Sequence, residues 1–136
     1  MTRWDRKVAP LALVVAAVLG GCHARISSVP MAPASEGGLD AGLEGRLTVV
    51  DDCLVVVDAA QTKWAVVWPS PGTQWLADDQ AIEVRGVRVR VGDVVVVGGG
   101  TISVTPENLD SHEWVARPSD GCLQQDGFWL ASHIAE

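Results

Sequence analysis

Tyrosine is absent and phenylalanine occurs once, at Phe128, so six tryptophans supply nearly all the aromatic surface of this 136-residue chain. Lysine is almost missing as well: Lys7 and Lys63 stand alone, and the formal charge is −7. Nucleic-acid binding is driven by basic groups that displace counterions from phosphates, and this balance argues against it. It argues equally against electrostatic attachment to an anionic membrane. Gly98-Gly99-Gly100 follows a valine run but lacks the Gly-Lys-Ser/Thr ending of a phosphate loop, and no G-x-G-x-x-G occurs. The nucleophile elbow G-x-S-x-G is missing, as is any C-x-x-C pair. Neither Asp51-Asp52 nor Asp78-Asp79 falls in a D-x-D-x-D-G calcium loop, and both read as turn residues. His23, His112 and His133 have no close-spaced partners of the zinc-site kind. No cofactor and no metal are therefore expected.

What is present begins at the N-terminus. Arg3, Arg6 and Lys7 outweigh Asp5, and an uninterrupted apolar run follows from Val8 to Leu19. As a helix that run is about 18 Å long, against about 30 Å of bilayer core. It is too short to span stably and has the layout of a signal peptide. Leu19-Gly20-Gly21-Cys22 comes directly after it and resembles the bacterial lipobox, a branched apolar residue and two small ones before a cysteine. The resemblance implies that the Cys22 thiol is alkylated with diacylglycerol and that a peptidase cuts just before it. Small residues at 20 and 21 leave room for that reaction. Each buried methylene of an acyl chain is worth about 0.8 kcal/mol, so two or more long chains hold the product on the membrane. The alternatives are an uncleaved anchor helix and an ordinary secreted protein. The implied location is the extracytoplasmic side of a cell membrane, inner or outer.

Cleavage at that point removes residues 1–21 with three of the ten basic and one of the seventeen acidic residues, leaving net −9. The lipid then has to do the anchoring alone. Of three cysteines, assigning Cys22 to lipid leaves Cys53 and Cys122 as an even pair. Such pairs usually oxidise outside the cytoplasm, and closing a loop of about 70 residues stabilises by roughly 4 kcal/mol in the chain-entropy model. Two buried thiols are the alternative.

Residues 22–42 are rich in Ala, Ser, Pro and Gly, and read as a lipidated flexible tether with a typical reach on the order of 25 Å. Residues 43–136 form the domain, β nearly throughout. Leu43, Leu47 and Val49 alternate with Glu44, Arg46 and Thr48, a half-buried strand. Cys53 to Val57 reads as a strand buried on both faces. Lys63 to Trp68 is the third strand, ended by Pro69, with a loop to Asp79. Ile82 and Val84 alternate, and the phase shifts at Gly86, where a bulge or tight turn is required. Gly92-Asp93 reads as a two-residue hairpin turn, and the Gly98-Gly100 run as a bulge or barrel corner. Gly127 to Ile134 is the last strand. Short strands with glycine punctuation predict an all-β fold, a five- to seven-stranded OB-like barrel, with a β-sandwich as the alternative.

A second resemblance enters here. Gly45-x-Leu47, Cys53-Leu54, Val67-Trp68-Pro69, Gly92-Asp93-x-Val95 and Gly98-Gly99-Gly100 are similar to a recurrent group of small bacterial lipoproteins without an assigned activity. It implies fold and location, not chemistry.

Trp75 lies in the loop after the third strand and Trp68 borders it, so the pair is a candidate surface for a protein or glycan. Core packing is the competing role for both. Arg85, Arg88 and Arg90 crowd an otherwise acidic chain and either meet an anionic partner or protect a strand edge. The expectation is a non-enzymatic binding or scaffolding module of the cell envelope, held to the membrane through Cys22. The alternatives are a small extracytoplasmic enzyme using His112 with Asp110 or Glu113, and an envelope assembly factor.

Overall fold

The computed structural model describes residues 25–34 and 40–135. The residues expected to form a signal peptide and its lipid-attachment site, Cys22 included, lie outside them. Among the described residues the strands are β1 (Met31–Pro33), β2 (Ala41–Val50), β3 (Cys53–Val57), β4 (Lys63–Ser70), β5 (Thr73–Leu76), β6 (Ala81–Val84), β7 (Val87–Arg90), β8 (Val94–Ile102) and β9 (Gly127–Ile134). A 3-10 turn at Leu109–Ser111 and a short helix α1 (Asp120–Leu123) lie between β8 and β9.

Five strands close a barrel in the order β4-β3-β2-β8-β9, and a parallel pairing of β9 with β4 seals it. A three-strand meander, a fourth strand beside the first, and a fifth parallel to the third make up the OB order. The barrel and the all-β class agree with the sequence reading, and the sandwich alternative does not. A second sheet, β5-β6-β7, is inserted between the third and fourth barrel strands. Leu43 and Leu47 of β2, Leu54 and Val56 of β3, Val66 and Trp68 of β4, and Val95 and Val97 of β8 fill the barrel, with Ile82 and Val84 of β6 in the same core. Alternate residues of β3, β4 and β9 point outward into a second apolar cluster of Cys53, Val55, Ala65, Val67 and Phe128. That second cluster is why β3 carries no polar residue on either face.

Glycine punctuation acts where expected. At Arg85-Gly86 both residues have positive φ, 50° and 85°, and a two-residue turn joins β6 to β7, which accounts for the phase shift. The register of β8 against β9 shifts between Gly98 and Gly99. Gly99 has φ 152°, and a Cβ there would overlap the Leu130 carbonyl, so the bulge admits only glycine.

Four local expectations are corrected. Pro69 does not end β4, which continues to Ser70 with β1 paired alongside it. Trp68 N–H donates to the Pro30 carbonyl and Ala34 N–H to the Ser70 carbonyl, so the ladder with β1 needs no donor from Pro69. The loop from Pro69 to Asp79 contains β5. Gly92-Asp93 is a tight turn without a hairpin: Asp93 N–H donates to Arg90 O, and the chain passes from β7 to a β8 that pairs with β2 and β9. The largest correction concerns residues 25–34, expected as flexible tether. Ile26 and Val29 are only 7% and 2% exposed and belong to the barrel core, while β1 adds to β4. Pro30 and Pro33 break a helix but suit an extended edge strand, so the same residues that suggested a tether permit a strap.

Candidate functional site

Cys53 and Cys122 are joined by a disulfide across a sequence separation of 69, as expected. It fastens α1 to the start of β3. Ser119 caps α1 by accepting the Cys122 N–H, and its hydroxyl donates to the Asp52 carbonyl. Asp51 and Asp52 both have positive φ, 52° and 60°, and form the tight β2–β3 turn beneath this helix.

Core packing, the competing role for the two candidate tryptophans, takes Trp68 entirely and Trp75 in part. Trp68 is 0% exposed, inside the barrel. Trp75 lies on β5, packs against the same core and donates its indole N–H to the Ile26 carbonyl at 3.2 Å. The sequence placed both next to a loop, but β4 runs on past Trp68 and the strap covers Trp75. Trp64 and Trp129 meet edge to face with centroids 6.0 Å apart. The Trp64 N–H donates to Asp58 at 3.0 Å. That bond, followed by those from Thr62 and Ala60 N–H, holds the Asp58 carboxyl below its ordinary pKa against a smaller opposing effect of burial.

The residues of the enzyme alternative are spread over separate contacts. His112 Nε2 lies 2.9 Å from the Ser103 carbonyl and its ring leans on Trp114, while Asp110 pairs with Arg117. His133 rests over Gly98 on the far side of β9, with Nδ1 2.9 Å from the Ser132 hydroxyl. Arg88 pairs with Glu83 across β6 and β7 at 3.2 Å, and Arg85 and Arg90 are exposed on the same hairpin. Among the described residues no three His, Cys, Asp or Glu side chains converge as metal ligands.

OB barrels bind ligands on the face of their second and third strands and on the loops flanking it. Here those strands are β3 and β4, and their outer face is the second apolar cluster. Ile102, Val104, Leu109, Trp114, Cys122 and Leu123 cover it. The cover is bonded to itself: Trp114 N–H donates to Leu109 O, and Asn108 bridges Thr105 N–H and Ser103 O. The usual binding face is thus occupied by the chain itself.

The outer face of β2 and β8 has no such cover. Val94 and Val96 are 59% and 37% exposed, opposite Arg46 and Glu44 of β2. Beside them is a groove of about 580 Å³ lined by Arg46, Thr48, Val57, Asp58, Gln61 and Val94. Arg46 is held across its end by donation to the Gly92 carbonyl. A smaller cleft of about 360 Å³ lies where the strap passes the β2–β3 turn, lined by Arg25, Ser27, Ser28, Asp52, Arg117 and Ser119. Neither surface was legible as a site in the sequence. The available signal was the even-numbered valines of β8 on the same face as Glu44 and Arg46.

No family model, no curated protein and no solved structure matches the chain, so the resemblances to a lipobox and to small lipoproteins rest on the residues quoted above.

Proposed function

We propose that this chain is a lipid-anchored, extracytoplasmic module of the bacterial cell envelope that binds a protein partner through the open β2–β8 face and performs no catalysis. The anchor rests on the signal-peptide layout and on Leu19-Gly20-Gly21-Cys22. The observation that carries the binding role is Val94, 59% exposed at the lip of a groove of about 580 Å³, within the size range of ligand sites. A protein fits this surface better than a glycan. Sugar rings stack on exposed aromatic faces, and the large apolar residues exposed among those described are Val94, Val96 and Val115. An apolar centre with a charged rim of Glu44, Arg46 and Asp58 is the composition of a small protein interface. The matching partner presents an aliphatic side chain next to a basic group.

Two experiments test the two halves. A photo-crosslinking residue at Val94 of the lipidated protein in living cells gives a discrete protein adduct, whereas one at Val115, equally exposed but on the covering segment, gives none. The adduct disappears in Val96→Arg. Equal yields at both positions, or none at Val94, refute the surface. For the anchor, metabolic labelling with a fatty acid marks the wild-type chain and leaves Cys22→Ser unlabelled; label on the variant refutes the assignment.

A further inference from the structure

The lipid and the strap together have a geometric consequence. Ile26 is fixed to the second sheet by three hydrogen bonds, and the adjacent Arg25 adds a fourth. The Ile26 N–H donates to Gln80 Oε1, its carbonyl accepts from Gln80 Nε2 and from Trp75 Nε1, each at 3.2 Å, and Arg25 donates to the Asp78 carbonyl at 3.0 Å. Its side chain is buried in the barrel core. Cys22 lies four residues upstream. Four residues reach at most about 14 Å fully extended, while a domain of about 100 residues has a radius of gyration of about 13 Å and is therefore some 30 Å across. A leash shorter than half the body it holds does not let that body tumble.

We infer that the strap converts the lipid anchor into an orienting mount, with the β5–β6 turn, Ala77 to Gln80, held against the bilayer surface. This rests on the lipidation of Cys22 proposed above. The residues around the exit point are Arg25, Ser27, Asp78 and Asp79, all exposed. They are polar, so they meet headgroups without inserting into the acyl region. The β3–β4 turn, Asp58 to Thr62, is at the other end of the barrel. The strap and the start of β3, Cys53 and Leu54, line one cleft, and Val57 lies about 13 Å beyond Cys53 at the usual strand rise. The Asp58 and Gln61 rim of the groove is thus turned away from the membrane, toward a partner in the adjoining compartment. A tether of 20 free residues would give no preferred face.

The test uses the full acylated chain in phosphatidylcholine vesicles containing phosphatidylcholine with a nitroxide on its headgroup, a short-range quencher. A fluorophore is attached at Asp79→Cys or at Gln61→Cys, with the Cys53–Cys122 pair oxidised and unreactive. Quenching is several-fold stronger at position 79 than at 61. Inserting a Gly/Ser linker of about 20 residues between Ala24 and Arg25 adds about 25 Å of reach and evens the two. The insertion lies upstream of every buried residue among those described, so it leaves their packing intact. Mass spectrometry of each sample reports the acyl chains. An acylated chain quenched equally at both positions, or a difference that survives the linker, overturns the orientation alone. A chain without acyl mass overturns the anchor, and the orientation with it.

Discussion

Removing the disulfide separates two contributions that the structure superimposes, constraint of the unfolded chain and cover of the second apolar cluster. Cys53 and Cys122 are 69 residues apart, and a loop of that size costs the unfolded ensemble about 4 kcal/mol in the chain-entropy model. Total stability of a small domain is about 5–15 kcal/mol, so the bond supplies a large part of it. One kcal/mol moves the melting midpoint of a domain this size by about 4–8 °C, so Cys53→Ala/Cys122→Ala melts about 15–30 °C below wild type. The assay is paired urea and thermal unfolding of a protein comprising residues 25–136, wild type and variant, followed by tryptophan fluorescence. The cover itself persists without the bond. Val104, Leu109, Trp114 and Leu123 pack on Val55, Val67 and Phe128 independently of the sulfurs. Below its transition the variant therefore binds no more hydrophobic dye than wild type. A loss of less than about 1 kcal/mol would refute the unfolded-state argument, and dye binding by the folded variant would refute the independent cover.

Two further predictions are simpler. The Asp58 carboxyl is held below its ordinary value of 3.8, chiefly by the Trp64 indole. Its stabilising contribution is therefore complete above about pH 4 and is lost as pH falls through the lower folded value. Asp58→Asn is accordingly less stable than wild type at pH 6, and the gap narrows in urea unfolding as pH falls below 3.8; a gap independent of pH contradicts the assignment. Gly99→Ala costs about 1–3 kcal/mol in backbone strain, plus the displacement of the Leu130 carbonyl. Gly86→Ala, with φ 85° and nothing within 4 Å of the added Cβ, costs only about 1–2 kcal/mol. Equal losses in chemical unfolding would show that the bulge tolerates a side chain.

Much of the barrel could be read from the chain because its signals are local. The alternation in β2, the mixed-face burial of β3, the glycine corner in β8 and the span of β9 each depend on residues within ten positions of one another. The strap was not legible for the opposite reason. Ile26 and Val29 are two apolar residues in a Pro- and Ser-rich stretch, and what fastens Ile26 is Gln80 and Trp75, some 50 residues later. The same long-range packing decides between the two roles left open for Trp68 and Trp75. The disulfide was legible through charge-free arithmetic on three cysteines, but what it holds down, an irregular segment with one 3-10 turn and four helical residues, has no periodicity to read.

The functional reading turns on a distinction of the same kind. Leu54-Val55-Val56-Val57 and Val94-Val95-Val96-Val97 are nearly the same sequence, and each places two aliphatic side chains inside the barrel and two outside. On β3 the outward Val55 is fully buried, inside the cluster that Ile102, Leu123 and Phe128 help to complete. On β8 the outward Val94 and Val96 are exposed and flanked by Glu44 and Arg46. β-propensity accounts for both runs equally, and interior packing requires only half of each. The surplus is satisfied intramolecularly on β3 and left open on β8. Replacing Val94 and Val96 by threonine keeps the β-branched shape while removing a methyl group from each exposed site. If those methyls served the fold, the double variant would unfold at lower urea. If they serve a partner, as proposed, stability is unchanged within about 0.5 kcal/mol and the adduct formed from a crosslinking residue at Gln61, on the rim of the same groove, is lost.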